Sequence, residues 1–137
     1  MILEILNVIT MRGKIANATP LTYNKIKFKS KLEVFMYKQL RAAKIKFDYE
    51  KQTFVLIEGF SYMGKKIRPI TYTPDFVLKD YPVIVETKGF ITEVFRIKMK
   101  LLKWNLDICG DSRTIYIPRN QKDCLEVINE IKKNYKL

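Results

Sequence analysis

Between Ile70 and Gly89 the chain has the spacing of extended structure. Ile70-Thr71-Tyr72-Thr73-Pro74-Asp75-Phe76-Val77-Leu78 is followed by the polar connection Lys79-Asp80-Tyr81-Pro82 and then by Val83-Ile84-Val85-Glu86-Thr87-Lys88-Gly89. This pattern predicts a β-hairpin turning at residues 79–82. Charge follows the apolar runs: Asp75 on the first strand, Glu86 and Lys88 on the second. Side chains alternate along a strand, so Glu86 and Lys88 share a face. Pro74 cannot donate to a ladder, so the first strand is predicted to bend where Asp75 emerges. Gly89 lets the backbone leave the sheet where bulk would obstruct a ligand.

Outside the hairpin the period changes. Ser30-Lys31-Leu32-Glu33 has the form of a capping box and predicts a helix to about Ala43, with Leu32, Phe35 or Met36, Leu40 and Ala43 inward. Lys46 to Ile57 reads as strand, broken or bent near Glu50-Lys51. Glu58-Gly59 and Met63-Gly64-Lys65-Lys66 form a turn-rich connection to the hairpin. Thr92 can cap a helix from Glu93 to about Asn105, whose predicted apolar stripe is Val94, Ile97, Leu101 and Trp104, with Trp104 in the core. Thr114-Ile115-Tyr116-Ile117 reads as a short strand ending at Pro118. Asn120 then caps a last helix with Leu125, Ile128, Ile131 and Tyr135 inward. The predicted order is αβββαβ plus a C-terminal helix: an α/β fold with a central mixed sheet flanked by helices. Residues 1–27 read as an N-terminal arm. Its apolar positions Ile2, Leu3, Ile5, Leu6, Val8 and Ile9 suit pairing with a second subunit or folding back onto the chain's own core. Residues 28–137 form the one predicted domain.

Charge and composition narrow the chemistry. The chain has 137 residues, 47% hydrophobic and 29% charged, enough for one domain with a real core. Its 26 basic residues against 14 acidic ones give +12, which points to nucleic acid, because clustered cations release counterions from a phosphate backbone. The chain contains no histidine, which removes histidine general bases, histidine-metal nucleases and Cys/His zinc modules. Cys109 and Cys124 lack a partner motif and are expected to be reduced and structural, in an intracellular protein. The first ten residues carry Glu4 and Asn7 and are too short to span a bilayer. No membrane association and a cytoplasmic location are therefore expected.

Phosphodiester hydrolysis without histidine calls for a hard divalent cation. Asp75 and Glu86 on adjacent strands suit Mg²⁺, with Mn²⁺ as a substitute and the Thr87 backbone carbonyl as a further ligand. Lys88 can orient or deprotonate the attacking water, or stabilise charge on the phosphate. A surface charge triplet is the plainer alternative for Asp75, Glu86 and Lys88. Lys65, Lys66 and Arg68 before the hairpin, with Arg96, Lys100 and Lys103 on the second helix, are candidate phosphate contacts. Tyr37, one turn from Glu33, is a candidate for lining the cleft.

Tyr72-Thr73-Pro74-Asp75-Phe76 and Val85-Glu86-Thr87-Lys88-Gly89 resemble the two halves of the PD-(D/E)xK nuclease signature. From about Phe28 to Trp104 the chain resembles phage endonuclease I, a family of Holliday junction resolvases. It also resembles small phage nucleases that share the segment Arg68 to Phe76. The resemblance implies a restriction-endonuclease-like core and a metal-dependent DNA endonuclease selective for branched DNA in recombination. It also implies a homodimer making paired cuts in the host-cell cytoplasm. Its catalytic set would be Glu33, Asp75, Glu86 and Lys88, with Glu33 reaching the metal directly or through water. Glu33 also stands at the third position of the capping box, which alone would explain it. Two other readings use the same residues: a sequence-specific endonuclease of homing or transposon type, and a non-catalytic DNA-binding protein of the same fold.

Overall fold

The computed structural model describes residues 19–137; the apolar positions from Ile2 to Ile9 and most of the predicted arm lie outside the described residues. The element order is β1 (Leu21–Tyr23), β2 (Ile26–Phe28), α1 (Lys31–Ala42), β3 (Phe47–Tyr49), β4 (Phe54–Ile57), β5 (Phe60–Tyr62), β6 (Lys65–Ile67), β7 (Ile70–Tyr72), β8 (Phe76–Leu78), β9 (Val83–Val85), α2 (Glu93–Ile108), β10 (Thr114–Tyr116) and α3 (Gln121–Tyr135). The fold is mixed α/β. Among the described residues no helix is long and apolar enough to cross a membrane. Backbone contacts group the chain into two units.

The unit made of Lys46–Glu86 and Glu93–Tyr116 holds a four-stranded sheet in the order β10-β9-β8-β3. β10 runs parallel to β9, and the other pairs are antiparallel. β8 and β9 are buried along their whole length, as continuous apolar runs in central strands should be. Phe76, fully buried, meets Phe47 edge-on at 5.3 Å and Tyr49 at 5.3 Å. The strand predicted over 70–78 is two strands. Thr73, Pro74 and Asp75 interrupt it, so that β7 pairs with β4 while β8 joins the larger sheet. The strand predicted from Lys46 to Ile57 is likewise split into β3 and β4, leaving the larger sheet at Glu50, whose φ is 46°.

α2 packs on β4, where the Asn105 amide donates to the Leu56 carbonyl at 2.8 Å and to the Leu101 carbonyl at 2.9 Å. Its inward face is Phe95, Met99, Leu102 and Leu106. That corrects the predicted stripe: Val94, Ile97 and Trp104 are 62%, 58% and 59% exposed, and Leu101 is half-buried. Both stripes satisfy a helical period, so periodicity could not choose between them.

The other unit consists, among described residues, of 19–45, 87–92 and 117–137. β1 and β2 pair about Asn24 and Lys25, whose φ values of 52° and 63° are those of a two-residue hairpin turn, within the stretch read from sequence as part of the N-terminal arm. α1 starts at Ser30 and packs on α3. It buries Glu33, Val34, Met36, Tyr37 and Leu40, whereas Leu32, Phe35 and Ala43 are half-buried. Tyr37 belongs to this core, 5.1 Å from Phe28. Asn120 caps α3 as predicted, its side chain accepting the Asp123 N–H at 2.8 Å. The inward residues of α3 are Cys124, Val127, Ile128 and Ile131, while Leu125 is exposed and Tyr135 half-buried.

Cys109 is exposed and Cys124 buried. Burial, then the Asp123 charge, pushes the Cys124 thiol up to about 12. A thiol reagent near pH 8 is therefore expected to modify Cys109 in the native protein and Cys124 only on unfolding. The unfolded chain releases the Cys124 proton near pH ~8.5 while the fold retains it, so stability should fall as pH rises above that value. Two equally fast thiols would contradict this placement.

Candidate metal centre

Register sets the site. Tyr49 lies opposite Phe76, and Phe76 opposite Val85. One residue further along each strand, at their common end, stand Glu50, Asp75 and Glu86. Two backbone links hold the row: the Glu50 N–H donates to the Asp75 carbonyl at 2.9 Å, and the Asp75 N–H donates to Glu86 Oε2 at 3.1 Å. Asp75 and Glu86 are only 5% and 4% exposed, and Glu50 is half-buried. Like charges on directly opposed strand positions repel, and buried charge is costly without a counter-charge. A cation is one partner that can stabilise such a row.

Glu50 is absent from the sequence-derived set, although the bend read at Glu50-Lys51 was its signal. A non-glycine residue at φ 46° is uncommon, and such conformations collect at functional sites. The bend ends the β3 pairing just where Glu50 comes abreast of Asp75.

Glu33 is 5% exposed at the start of α1. Its N–H donates to Ser30 Oγ at 3.1 Å, and its Oε2 accepts the Lys29 N–H at 3.1 Å. The capping role is therefore real, and the side chain reaches one residue beyond the usual box. It does not exhaust a carboxylate, which has two oxygens. Glu33, Glu50 and Asp75 each offer a ligand atom within 4.8 Å of the others, a group able to hold a metal ion. Its donors are all carboxylate oxygens.

Tyr72, at the end of β7, has a buried hydroxyl beside the Glu86 carboxylate, to which it donates. Burial first, then the negative charge of Glu86 and the hydrogen bond to it, and last the charge of Asp75, hold this hydroxyl protonated far above the usual tyrosine range. Tyr72→Phe removes a donor from the buried Glu86 carboxylate and is therefore expected to destabilise the metal-free protein by about 1 kcal/mol. An unchanged or higher melting temperature for that variant would show that the hydroxyl contributes no such bond.

Beyond β9 the chain stays extended. The Glu86 N–H donates to the Tyr116 carbonyl at 2.9 Å, and the Lys88 N–H donates to the Pro118 carbonyl at 3.0 Å. Residues two apart in such a run share a face. Thr87 is buried and Lys88 half-buried. Arg119 donates from Nε to the Lys88 carbonyl at 2.8 Å and from its terminal nitrogen to the Gly89 carbonyl at 3.4 Å, fixing the backbone after the lysine. Lys65, Lys66, Arg68, Arg96, Lys100 and Lys103 are all exposed. Arg96 meets Glu93 at 3.6 Å, a solvated pair of little energetic weight.

A family model described as "Protein of unknown function (DUF1064)" matches residues 13–122. The match spans most of the chain, which belongs to that family. No curated protein and no solved structure matches it significantly.

Proposed function

We propose that this family member is a metal-dependent endodeoxyribonuclease that hydrolyses phosphodiester bonds in branched DNA, working as a homodimer in the host-cell cytoplasm. The observation that carries the reading is the row Glu50, Asp75 and Glu86 at one end of three adjacent strands, with Lys88 two residues beyond Glu86. The resemblance of residues 72–76 and 85–89 to the PD-(D/E)xK signature supports it, as does the net charge of +12.

Glu33, Glu50 and Asp75 would hold the cation, with Glu86 and the Thr87 carbonyl as further donors. A bound Mg²⁺ or Mn²⁺ supplies charge neutralisation at the phosphate and an acidified water. The chain's own groups do the rest. Glu86 accepts the Asp75 N–H and so fixes the backbone that carries the central acid. Lys88 serves the attacking water or the charge that builds on phosphate. Tyr72, kept protonated, is a hydrogen-bond donor in a site otherwise rich in acceptors. The exposed cations on β6 and α2 attract the DNA backbone. Paired cutting needs two sites, and the exposed apolar stripe Val94, Ile97, Trp104 and Ile108 on α2 offers a second copy a surface to cover.

The test is cleavage of labelled four-way junction, duplex and single-stranded DNA with Mg²⁺, beside Lys88→Ala. The wild type should cut near the branch, sediment as two chains, and exceed Lys88→Ala by about 10²–10³-fold in rate. If neither protein cuts any substrate, the hydrolase reading fails. Cutting of plain duplex at one sequence would keep the chemistry and remove the selectivity for branches, and a one-chain mass would remove paired cutting.

A further inference from the structure

Every residue from Ile57 to Thr71 is exposed, between the buried Leu56 and Tyr72. This excursion is a shaped element. β5 and β6 pair with Phe60 opposite Ile67, Ser61 opposite Lys66 and Tyr62 opposite Lys65. Met63 and Gly64 close the hairpin with φ values of 48° and 80°, the two left-handed residues that match the twist of flanking strands. Its base is tight: a Cβ at Gly59 would come within 3.1 Å of the Ile67 carbonyl oxygen and 3.2 Å of the Pro69 ring. β4 leads into β5 and β6 into β7, so the two strand pairs together form one ribbon.

The ribbon's chemistry is sorted along its length. Opposed residues share a face, which places Phe60, Ile67, Tyr62 and Lys65 on one side and Ser61 and Lys66 on the other. Exposure rises toward the tip, from 38% at Ile67 and 52% at Phe60 to 63% at Tyr62 and 85% at Met63. Lys65 and Lys66 stand beside this apolar tip and Arg68 at the hairpin's base, against the single acid Glu58 between Ile57 and Thr71. A two-stranded hairpin with an exposed apolar face is marginal in water, and an apolar tip flanked by cations is complementary to stacked bases flanked by phosphates.

We propose that the β5–β6 hairpin is a DNA-distorting wedge: Tyr62 and Met63 enter an opened base step at a branch or bend, while Lys65, Lys66 and Arg68 hold the flanking phosphates. Apolar side chains inserted between base pairs kink duplexes in this way, and aromatic rings stack on unpaired bases of any sequence. A branch point, already unstacked, accepts the wedge at less cost than continuous duplex. Selectivity for branched DNA would then reside in the hairpin, apart from the acid row. The inference rests on the DNA-directed reading above and assigns its choice of substrate.

The test uses the full chain in Ca²⁺ with junction and duplex DNA carrying 2-aminopurine next to the branch or at the matching duplex position. Wild type should bind the junction and raise its fluorescence. The double variant Tyr62→Ala/Met63→Ala should lose the fluorescence rise and about 10-fold in junction affinity while binding duplex as before. Lys65→Ala/Lys66→Ala should weaken both substrates alike and reduce the slope of log affinity against log salt by about two. Unchanged junction binding and fluorescence in the tip variant would overturn the proposal. So would a tip variant that loses oligomeric mass but keeps its DNA binding, since the hairpin would then be a protein interface. A wild type that cuts DNA with Mg²⁺ while its tip variant keeps full junction selectivity rejects the wedge and keeps the nuclease. A tip-dependent fluorescence rise without any cutting rejects the nuclease and keeps the wedge.

Discussion

Asp75→Asn is expected to abolish cleavage and, without divalent ions, to melt at a higher temperature than the wild type. Asp75 is the middle member of the row, with Glu50 and Glu86 opposite it on its two neighbouring strands. Two charges ~5 Å apart repel by about 3 kcal/mol at an effective dielectric of ~20. Relaxation and solvent at the half-exposed Glu50 should leave about 1–2 kcal/mol of that as a stability gain, or a few degrees in melting temperature. The change preserves size, and the hydrogen bonds from Asp75 to Glu86 and from Glu50 to Asp75 use the residue 75 backbone, which the substitution leaves in place. Mg²⁺ or Mn²⁺ should reverse the order of stability. A ligand at 100 times its dissociation constant stabilises a fold by about 2.7 kcal/mol, a gain for the wild type that the variant should lack. Cleavage should fall by at least about 10³-fold, the scale of losing one group that stabilises transition-state charge. Differential scanning fluorimetry in EDTA and in Mn²⁺ decides the matter. A variant that melts lower in EDTA, or that gains as much from Mn²⁺ as the wild type, would mean that Asp75 is a structural acid.

The features legible from sequence are those that local chemistry settles. Ser30 and Asn120 start their helices, because each side chain accepts the N–H three residues on, and the helices begin there. Pro74 breaks a strand because it has no N–H to offer, and Asp75 emerges at the break. Where two local answers were equally good, packing made the choice. α2 carries two complete apolar stripes, and the one facing β4 is the one that lets Asn105 reach the Leu56 carbonyl. α1 likewise turns its Met36–Tyr37–Leu40 side inward, so that Phe28 meets the Tyr37 ring. Short strands hid a different fact. Apolar runs at 46–57 and 70–78 read as single strands because pattern is blind to which sheet a strand joins. Each run changes partners midway, the first at Glu50 and the second at Pro74. Glu50 could not be recognised as a site residue before that change of partners was known, because its place beside Asp75 exists only in the register of β3 with β8.

Glu50 also allows conformation and chemistry to be separated by substitution. Its left-handed backbone costs a residue with a Cβ about 1–2 kcal/mol. Glu50→Gly removes both that cost and the carboxylate, and Glu50→Gln removes the carboxylate alone. Glycine gives back part of its gain through the greater freedom of the unfolded chain, so Glu50→Gly should be about as stable as the wild type or slightly more so. Glu50→Gln keeps the strain and loses only charge repulsion. Each retains the backbone N–H that bonds the Asp75 carbonyl, so neither should disturb the sheet. If Glu50 is a ligand, the two variants should lose Mn²⁺ affinity alike, by roughly 10–100-fold, the range seen when a group supporting a metal site is removed. Cleavage at limiting Mn²⁺ should fall with it, whatever their stabilities. Calorimetric Mn²⁺ titration of both variants provides the check. Wild-type Mn²⁺ binding by Glu50→Gly would leave the bend as its sole contribution, and Glu33, Asp75 and Glu86 would then be the acids that hold the cation.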